Sequence, residues 1–446
     1  MDYRAPFAGK KITVMGLGLL GRAVGDTAFL AECGAHLTVT DMKTEEQLAE
    51  SVTQLKQYPN ITFHLGGHVQ EDFTQCDMVL KAAGVPLDSP YVVAAHAVGV
   101  PVVMSTALFA KYAIEEGATV VGVTGTRGKS TVTHMIYHTL QQTVTRLRSE
   151  QEKHVFLGGN VRGISTLAML PNVQAGDIAV LELDSWQLQG FGDLGISPQV
   201  AVFTNLMPDH QNYYHSMDAY FADKANIFKS QKEGDHLIVG NSIAAKIQEA
   251  TPPGGEPCIP LAIPADWRLK VPGEHNRENA SLAAGALHAL GLSESEIKDG
   301  LESFEGVEGR LQLVRDIDGI KIYNDNNSTT PEATIAALRA LDEGKKRVVL
   351  IMGGSDKGLD ANRLLCEVAK TCKRVILLAG SGTDRIVPAM SDYSIFDDLS
   401  AAIHEAVISA QAGDVILFSP AFASFGMFKN EYERNDRFVS IIQKLL

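Results

Sequence analysis

Along this chain, short runs rich in Val, Ile and Leu alternate with longer segments whose apolar residues fall three and four apart. That alternation predicts strands and helices taken in turn, the pattern of mostly parallel α/β sheets. Strand-like runs fall at residues 11–14, 36–40, 77–81, 100–103, 119–124, 155–157, 178–183, 200–204, 236–240, 320–323, 347–352, 374–378 and 415–419. Helices are predicted at 91–98, 105–117, 280–290, 331–341, 360–370, 399–410 and 436–445. Another follows residue 129, where Val132, Met135, Ile136 and Leu140 share a face. Residues 143–154 read as a polar, exposed excursion and 251–264 as a Pro- and Gly-rich loop. Breaks near 106 and within 301–309 divide the chain into three α/β domains, at 1–106, 107–308 and 309–446. No internal repeat is visible, which removes solenoid folds.

Composition narrows the function classes. The 446 residues suit two to three domains, and an apolar fraction of 45% is ordinary for a globular chain. A formal charge of -14 disfavours a nucleic-acid partner but not phosphate ligands, which need only local cations. Five cysteines without CxxC spacing predict reduced thiols in a cytoplasmic protein, with no zinc site. Neither a signal peptide nor a membrane-length apolar run is read, so no membrane partner is expected.

The most specific chemistry lies at 119–131, where a β-branched run enters Gly125-Thr126-Arg127-Gly128-Lys129-Ser130-Thr131 and then a helix. Strand, glycine turn, Lys-Ser/Thr and helix make a phosphate-binding loop. Glycines admit backbone N–H groups to phosphate oxygens, the helix start adds partial positive charge, and Lys129 adds a full one. Ser130 or Thr131 can place a hydroxyl on Mg²⁺. The loop is a variant, because Val123 stands where the first glycine belongs. Downstream, Glu182 ends a buried strand and is placed to bind Mg²⁺. His210 follows another strand and is a second metal candidate. Lys224 shares a helical face with Phe221, Ala225 and Phe228, so it needs a partner or a reason to be there.

Gly16-Leu17-Gly18-Leu19-Leu20-Gly21 opens the chain's first helix, and Asp41 ends the next strand. Read alone, this is a dinucleotide fingerprint or a Rossmann-like turn for another nucleotide. No nicotinamide partner site follows it. In the last third, 324–330, 353–357 and 419–424 each stand at a strand end, where such sheets place ligand residues.

In order, Gly16–Gly18, the loop ending at Thr131, Gly-Gly-Asn at 158–160, Leu-Glu-Leu-x-Ser-x-Gln-Leu at 181–188, Asp209-His210 and Lys224 form one set of motifs. His275-Asn276 with Asn279, Arg310, Asn324-Asp325, Gly-Gly-x-x-Lys at 353–357 and Ser-Pro-Ala-x-Ala-Ser at 419–424 complete it. Over essentially its whole length the chain resembles the Mur ligase family, within it the branch that adds glutamate to UDP-N-acetylmuramoyl-L-alanine.

The resemblance implies three domains: a Rossmann-like UDP-binding domain, a central P-loop-type ATPase domain and a C-terminal Rossmann-like domain. It implies a monomeric enzyme of small-molecule substrates, working through an acyl phosphate with ATP and two Mg²⁺ ions. By it, Lys129 neutralises phosphates, Ser130 and Glu182 hold one Mg²⁺, His210 holds the other, and Lys224 reacts with CO₂ to become a metal-binding carbamate. Gly125, Thr126, Arg127, Gly128, Thr131, Asn276, Asn279, Arg310 and Asp325 then bind ATP. Gly18, Leu19, Leu20, Asp41 and Asn160 bind the UDP substrate, and Lys357 and Ser424 grip the amino acid. The chain departs from the family pattern at Arg127 (usually Asn), Asp184 (usually Ser), Asn326-Asn327-Ser328 (usually Ser-Lys-Ala) and Glu431 (usually aromatic). These departures leave open D- against L-glutamate, another amino acid, and a nucleotide-binding homologue without ligase activity.

Overall fold

The computed structural model describes residues 2–17, 21–146, 153–209, 213–250, 253–254, 256–342 and 344–445. They form two compact units, one of residues 1–261 with 281–300 and one of 262–280 with 301–446.

The first unit contains two parallel sheets. Strands β1 (Lys11–Met15), β2 (His36–Asp41), β3 (Ile61–Leu65), β4 (Met78–Lys81) and β5 (Val102–Val103) lie in the order β3-β2-β1-β4-β5. The order reverses direction between β1 and β4, and the crevice at the carboxyl ends of that pair is where open α/β sheets bind ligands. Strands β6 (Thr119–Thr124), β7 (Val155–Gly159), β8 (Ile178–Glu182), β9 (Val200–Phe203) and β10 (His236–Val239) lie in the order β10-β9-β6-β8-β7. Here β6 is central, with Val123 opposite Glu182 on β8 and Thr124 opposite Phe203 on β9. The helix Ser105–Glu116 follows the first sheet and packs against the second, and one apolar cluster runs through both, from Phe7 through Phe109 to Ile247.

In the second unit, β11 (Gln312–Ile317), β12 (Ile320–Asn324), β13 (Val348–Gly353), β14 (Cys372–Leu378), β15 (Ser394–Phe396) and β16 (Val415–Phe418) lie in the order β11-β12-β16-β13-β14-β15. Among the described residues of this sheet, only β11 pairs antiparallel, with β12. Alternate residues of β13 enter separate cores: Val348, Leu350 and Met352 pack on one face, Val349 and Ile351 on the other. A strand covered on both faces reads as a continuous apolar run.

Three strands escape the hydrophobic pattern: β3, β11 and β15, each at a sheet edge. Their positions are half-buried or exposed, so polar residues such as His64 and Arg315 interrupt the run. Short helices at Ala49–Leu55, Gln70–Thr74, Ser185–Asp193, Ala244–Glu249 and Glu294–Ser303 also lie outside the predicted set. The last helix, Glu431–Lys444, starts a turn earlier than predicted because Asn430 caps it by accepting from Glu433 N at 2.9 Å. The excursion at 143–154 begins later than predicted, since the helix Lys129–Arg146 runs on; residues 147–152 lie outside the described set.

Gly159 ends β7 at φ +84°, and a Cβ there would stand 2.0 Å from the Glu182 carbonyl oxygen. Gly163 has φ +72° with open space around it. Gly159→Ala is therefore expected to lower the unfolding midpoint by roughly 5 °C, and Gly163→Ala by clearly less. Equal shifts in thermal scans would show that backbone strain alone, without the close approach, sets the cost.

Candidate active site

Within the first unit, the residues after β6 form a bend that only glycine allows at two points. Gly125 has φ +139°, with a would-be Cβ 1.9 Å from Thr204 Oγ1, and Gly128 has φ +83°. The bend is held from the side by residues following β9. Thr126 N donates to Asn205 O at 2.9 Å, Arg127 N to Asn205 Oδ1 at 2.9 Å, and Thr204 Oγ1 to Arg127 O at 2.5 Å. Thr126 Oγ1 accepts from Met207 N at 2.9 Å. Lys129 then starts the helix Lys129–Arg146, whose first N–H groups have no intrahelical acceptor.

Two lysines converge on this bend. Lys129 Nζ donates to Gly125 O and Thr126 O, both at 3.1 Å. Lys224 Nζ, 1% exposed, donates to the same Gly125 O at 2.9 Å and meets Thr124 Oγ1 at 3.4 Å, with the Tyr220 ring centroid at 4.8 Å. Among the described residues no carboxylate lies within ion-pair distance of Lys224. Its neighbour Asp223 accepts instead from Gln189 Nε2 at 2.7 Å and Tyr214 OH at 2.9 Å. Burial, and next the charge of Lys129, hold the Lys224 ammonium well below the ordinary lysine range; Asp184, Asp209 and Asp223 oppose this. Burial also pushes the Tyr220 phenol up to about 12.

Ser130 and Glu182 are buried beside this bend, and both are oxygen donors, the ligand type a hard divalent cation selects. Among the described residues no cluster of three or more His, Cys, Asp or Glu side chains is poised to hold a metal. His210 lies outside the described residues, as do Gly18, Leu19 and Leu20. Thr131 occupies the first helical turn. Asn160 follows β7; its N–H donates to Glu182 O at 2.7 Å and its Oδ1 accepts from Arg22 Nη1 at 2.9 Å. Asp41 is buried at the end of β2, and its oxygens accept from Leu17 N and Lys43 N, both at 2.9 Å. The bend's side supports, Thr204 and Asn205, escaped the sequence reading. Their only signal was position, at the end of a buried strand and five to six residues before His210.

In the second unit, Asp325, Lys357 and Ser424 follow the carboxyl ends of β12, β13 and β16, the strand ends named in the sequence reading. Buried Asp325 accepts from Leu311 N at 3.0 Å and Ser419 Oγ at 2.8 Å. Lys357 Nζ donates to Thr329 Oγ1 at 2.9 Å, and Ser424 is buried after a bridge between Ser355 and Ala423. Arg310 is exposed. Asn276 and Asn279 sit in the first turns of the helix Glu274–Ala289, with Asn276 Nδ2 donating to Pro272 O at 2.7 Å and Asn279 Nδ2 to Asn276 Oδ1 at 3.2 Å. Asn327 Nδ2 donates to Glu308 O at 3.3 Å. Arg434, almost fully buried, donates to Asn326 Oδ1 at 2.8 Å and Asn326 O at 2.9 Å.

Three family models cover the chain: a MurD-like Mur ligase N-terminal domain at 10–104, a Mur ligase middle domain at 123–255, and a Mur ligase glutamate ligase domain at 309–422. The UDP-N-acetylmuramoylalanine--D-glutamate ligase of Roseiflexus sp. is 35% identical, covering 98% of this chain and 99% of its own. The chain belongs to the Mur ligase family. The like-named protein of Streptococcus sanguinis is 32% identical over the full length of both chains. Among solved Mur ligases, UDP-N-acetylmuramate-alanine ligase MurC of Thermotoga maritima superposes with TM-score 0.59 over 97% of this chain and 99% of its own, at 20% identity. MurF ligase of the same organism, in complex with ADP, gives TM-score 0.61 at 15% identity, over 99% of this chain and 96% of its own. These two show the fold, a three-domain α/β architecture.

Burial raises the Asp325 carboxyl from 3.8 to about 6. The folded state thus holds this proton more tightly than the unfolded chain, and the stability of the second unit falls as pH rises through that window. Asp325→Asn should therefore unfold at a higher temperature than the wild type near pH 7.5, the two converging near pH 4.5. Thermal scans at the two pH values check this; a constant difference would remove the titration of Asp325 as its cause.

Proposed function

We propose that this Mur ligase joins D-glutamate to UDP-N-acetylmuramoyl-L-alanine in peptidoglycan precursor synthesis, in the cytoplasm and as a monomer. One observation carries the reading: two lysine side chains share the Gly125 carbonyl beside Ser130 and Glu182, a cationic pocket in which, among the described residues, no carboxylate lies within ion-pair distance of Lys224. The hand and identity of the amino acid follow the names of the relatives.

A carboxylate is a poor electrophile, so the substrate's carboxyl is first phosphorylated by ATP and the acyl phosphate is then attacked by the amine of glutamate. Each step gathers negative charge, and fixed cations and dipoles stabilise it. Lys129 neutralises the terminal phosphates, helped by the amides of Gly125 to Thr131. Ser130, Glu182 and His210 would hold Mg²⁺, which would supply Lewis-acid screening of phosphate charge. Asp41, Asn160 and residues 18–20 take the UDP substrate. Asn276, Asn279, Arg310 and Asp325 take the adenosine side of ATP, and Lys357 and Ser424 the amino-acid carboxylates. In this reading the domains 1–106, 107–308 and 309–446 divide these tasks.

Lys224 takes CO₂. Its lowered basicity makes the neutral amine easier to reach, and in that form the lone pair makes an N–C bond to CO₂ as one C=O π bond of CO₂ opens and the nitrogen gives up a proton to water. The resulting carbamate replaces a buried cation by an anion that can orient Mg²⁺.

Phosphate release measured with UDP-N-acetylmuramoyl-L-alanine, ATP and a panel of amino acids of both hands is expected to respond to D-glutamate. Lys129→Ala should reduce that rate at least about 100-fold. Release driven by a different amino acid, or near-normal turnover of the variant, would overturn the assignment. Lys224→Ala should be inactive and partly rescued by acetate; full activity without bicarbonate or rescue would remove the carbamate.

A further inference from the structure

The first unit holds a second buried lysine that the reaction above does not use. Lys81 ends β4 at the point where the strand order reverses, is 2% exposed, and lines a cavity of about 230 Å³ with Arg22, Asp26, Gly84 and Asp184. Its ammonium faces the turn that follows it, donating to Val85 O at 2.7 Å, with longer contacts to Ala82 O at 3.3 Å and Ala83 O at 3.5 Å. Among the described residues it has no carboxylate within ion-pair distance.

A trans peptide points its C=O and N–H in opposite directions. Carbonyls 82 and 83 turn toward Lys81, so the N–H groups of Ala83 and Gly84 turn away from it. Both residues line the cavity, and among the described residues neither N–H has an acceptor. Successive free amides of this kind form an anion-binding concavity. The turn also abuts the first nucleotide loop, since a Cβ on Gly16 would stand 3.0 Å from Ala82 Cβ.

We infer that Lys81 is a positioning residue for nucleotide-sugar binding, holding the 82–85 turn so that the Ala83 and Gly84 amides present themselves to an anionic oxygen of that substrate. The inference rests on the proposed function. Burial lowers the Lys81 ammonium to about 8, against the opposing charges of Asp193, Asp184 and Asp223. Arg22 and Asp26 face the same cavity, and His96 acts on Asp193. The clamp therefore loses its charge in a mildly alkaline range, where a neutral amine holds carbonyls less firmly.

Calorimetric binding of UDP and of UDP-N-acetylmuramoyl-L-alanine to the full-length protein tests this near pH 7 and pH 9. Wild-type affinity for both is expected to fall about tenfold across that range. Lys81→Met should bind about tenfold more weakly near pH 7, show no pH dependence, and keep its ATP affinity. Lys81→Arg, charged throughout, should recover affinity and stay flat. Lys81→Met binding within twofold of wild type, or losing ATP affinity by the same factor, overturns the role. Should that variant not fold, a flat wild-type profile overturns it equally. Wild-type phosphate release tests the proposed function separately, so turnover combined with normal binding by Lys81→Met would remove Lys81 alone.

Discussion

The Gly125 carbonyl oxygen accepts from two ammonium groups at once, and most of the first unit is arranged so that it can. Like charges drawn onto one neutral acceptor inside a protein repel each other, and a buried cation without a counter-ion is costly. The arrangement persists because the bend is over-determined: by positive-φ glycines, by Asn205 and Thr204 at its side, and by a central strand hydrogen-bonded on both edges. An anion bound between the two lysines would offset part of that repulsion and so stabilise the folded state. Cations fixed before the phosphates arrive need no reorganisation when charge develops during reaction.

The departures from the family pattern look different once each side chain is placed. Asp184 caps the helix Ser185–Asp193, its carboxylate accepting from Gln187 N at 2.7 Å while Gln187 Oε1 accepts from Asp184 N at 3.2 Å. Serine serves equally as a cap, so the change keeps the local fold and adds a charge. Arg127 is fixed in the bend through its backbone, its N–H donating to Asn205 Oδ1 and its carbonyl accepting from Thr204 Oγ1. Asn326 and Asn327 belong to an amide network that includes Glu308 and buried Arg434; the loop after β12 is ordered by hydrogen bonds rather than by a lysine.

Central strands were legible in the chain because both their faces are covered, as for β6, β8, β13 and β16; edge strands β3, β11 and β15 were not, because one face meets water. The phosphate bend was legible because glycine, lysine and hydroxyl stand within seven consecutive residues, 125–131. Lys224 showed itself only as a charge on an apolar face, a pattern that by itself favours a head reaching water, whereas the head is buried. Lys81 closes a run of Met-Val-Leu at the end of a strand, and nothing in that pattern signals that its ammonium turns into its own loop. The contacts of Arg22 with Asn160 and of Asp26 with Ser165 join positions 138 and 139 residues apart, a range that periodicity does not carry.

The apolar cluster that runs from Phe7 to Ile247 makes the first two sheets thermodynamic partners. Severing the chain ahead of the helix Ser105–Glu116 would strip Phe109 and its neighbours of their cover on one side, leaving each fragment with a greasy scar. The pair should melt in a single cooperative step, and evolution could not have exchanged one sheet for another without refitting that shared seam.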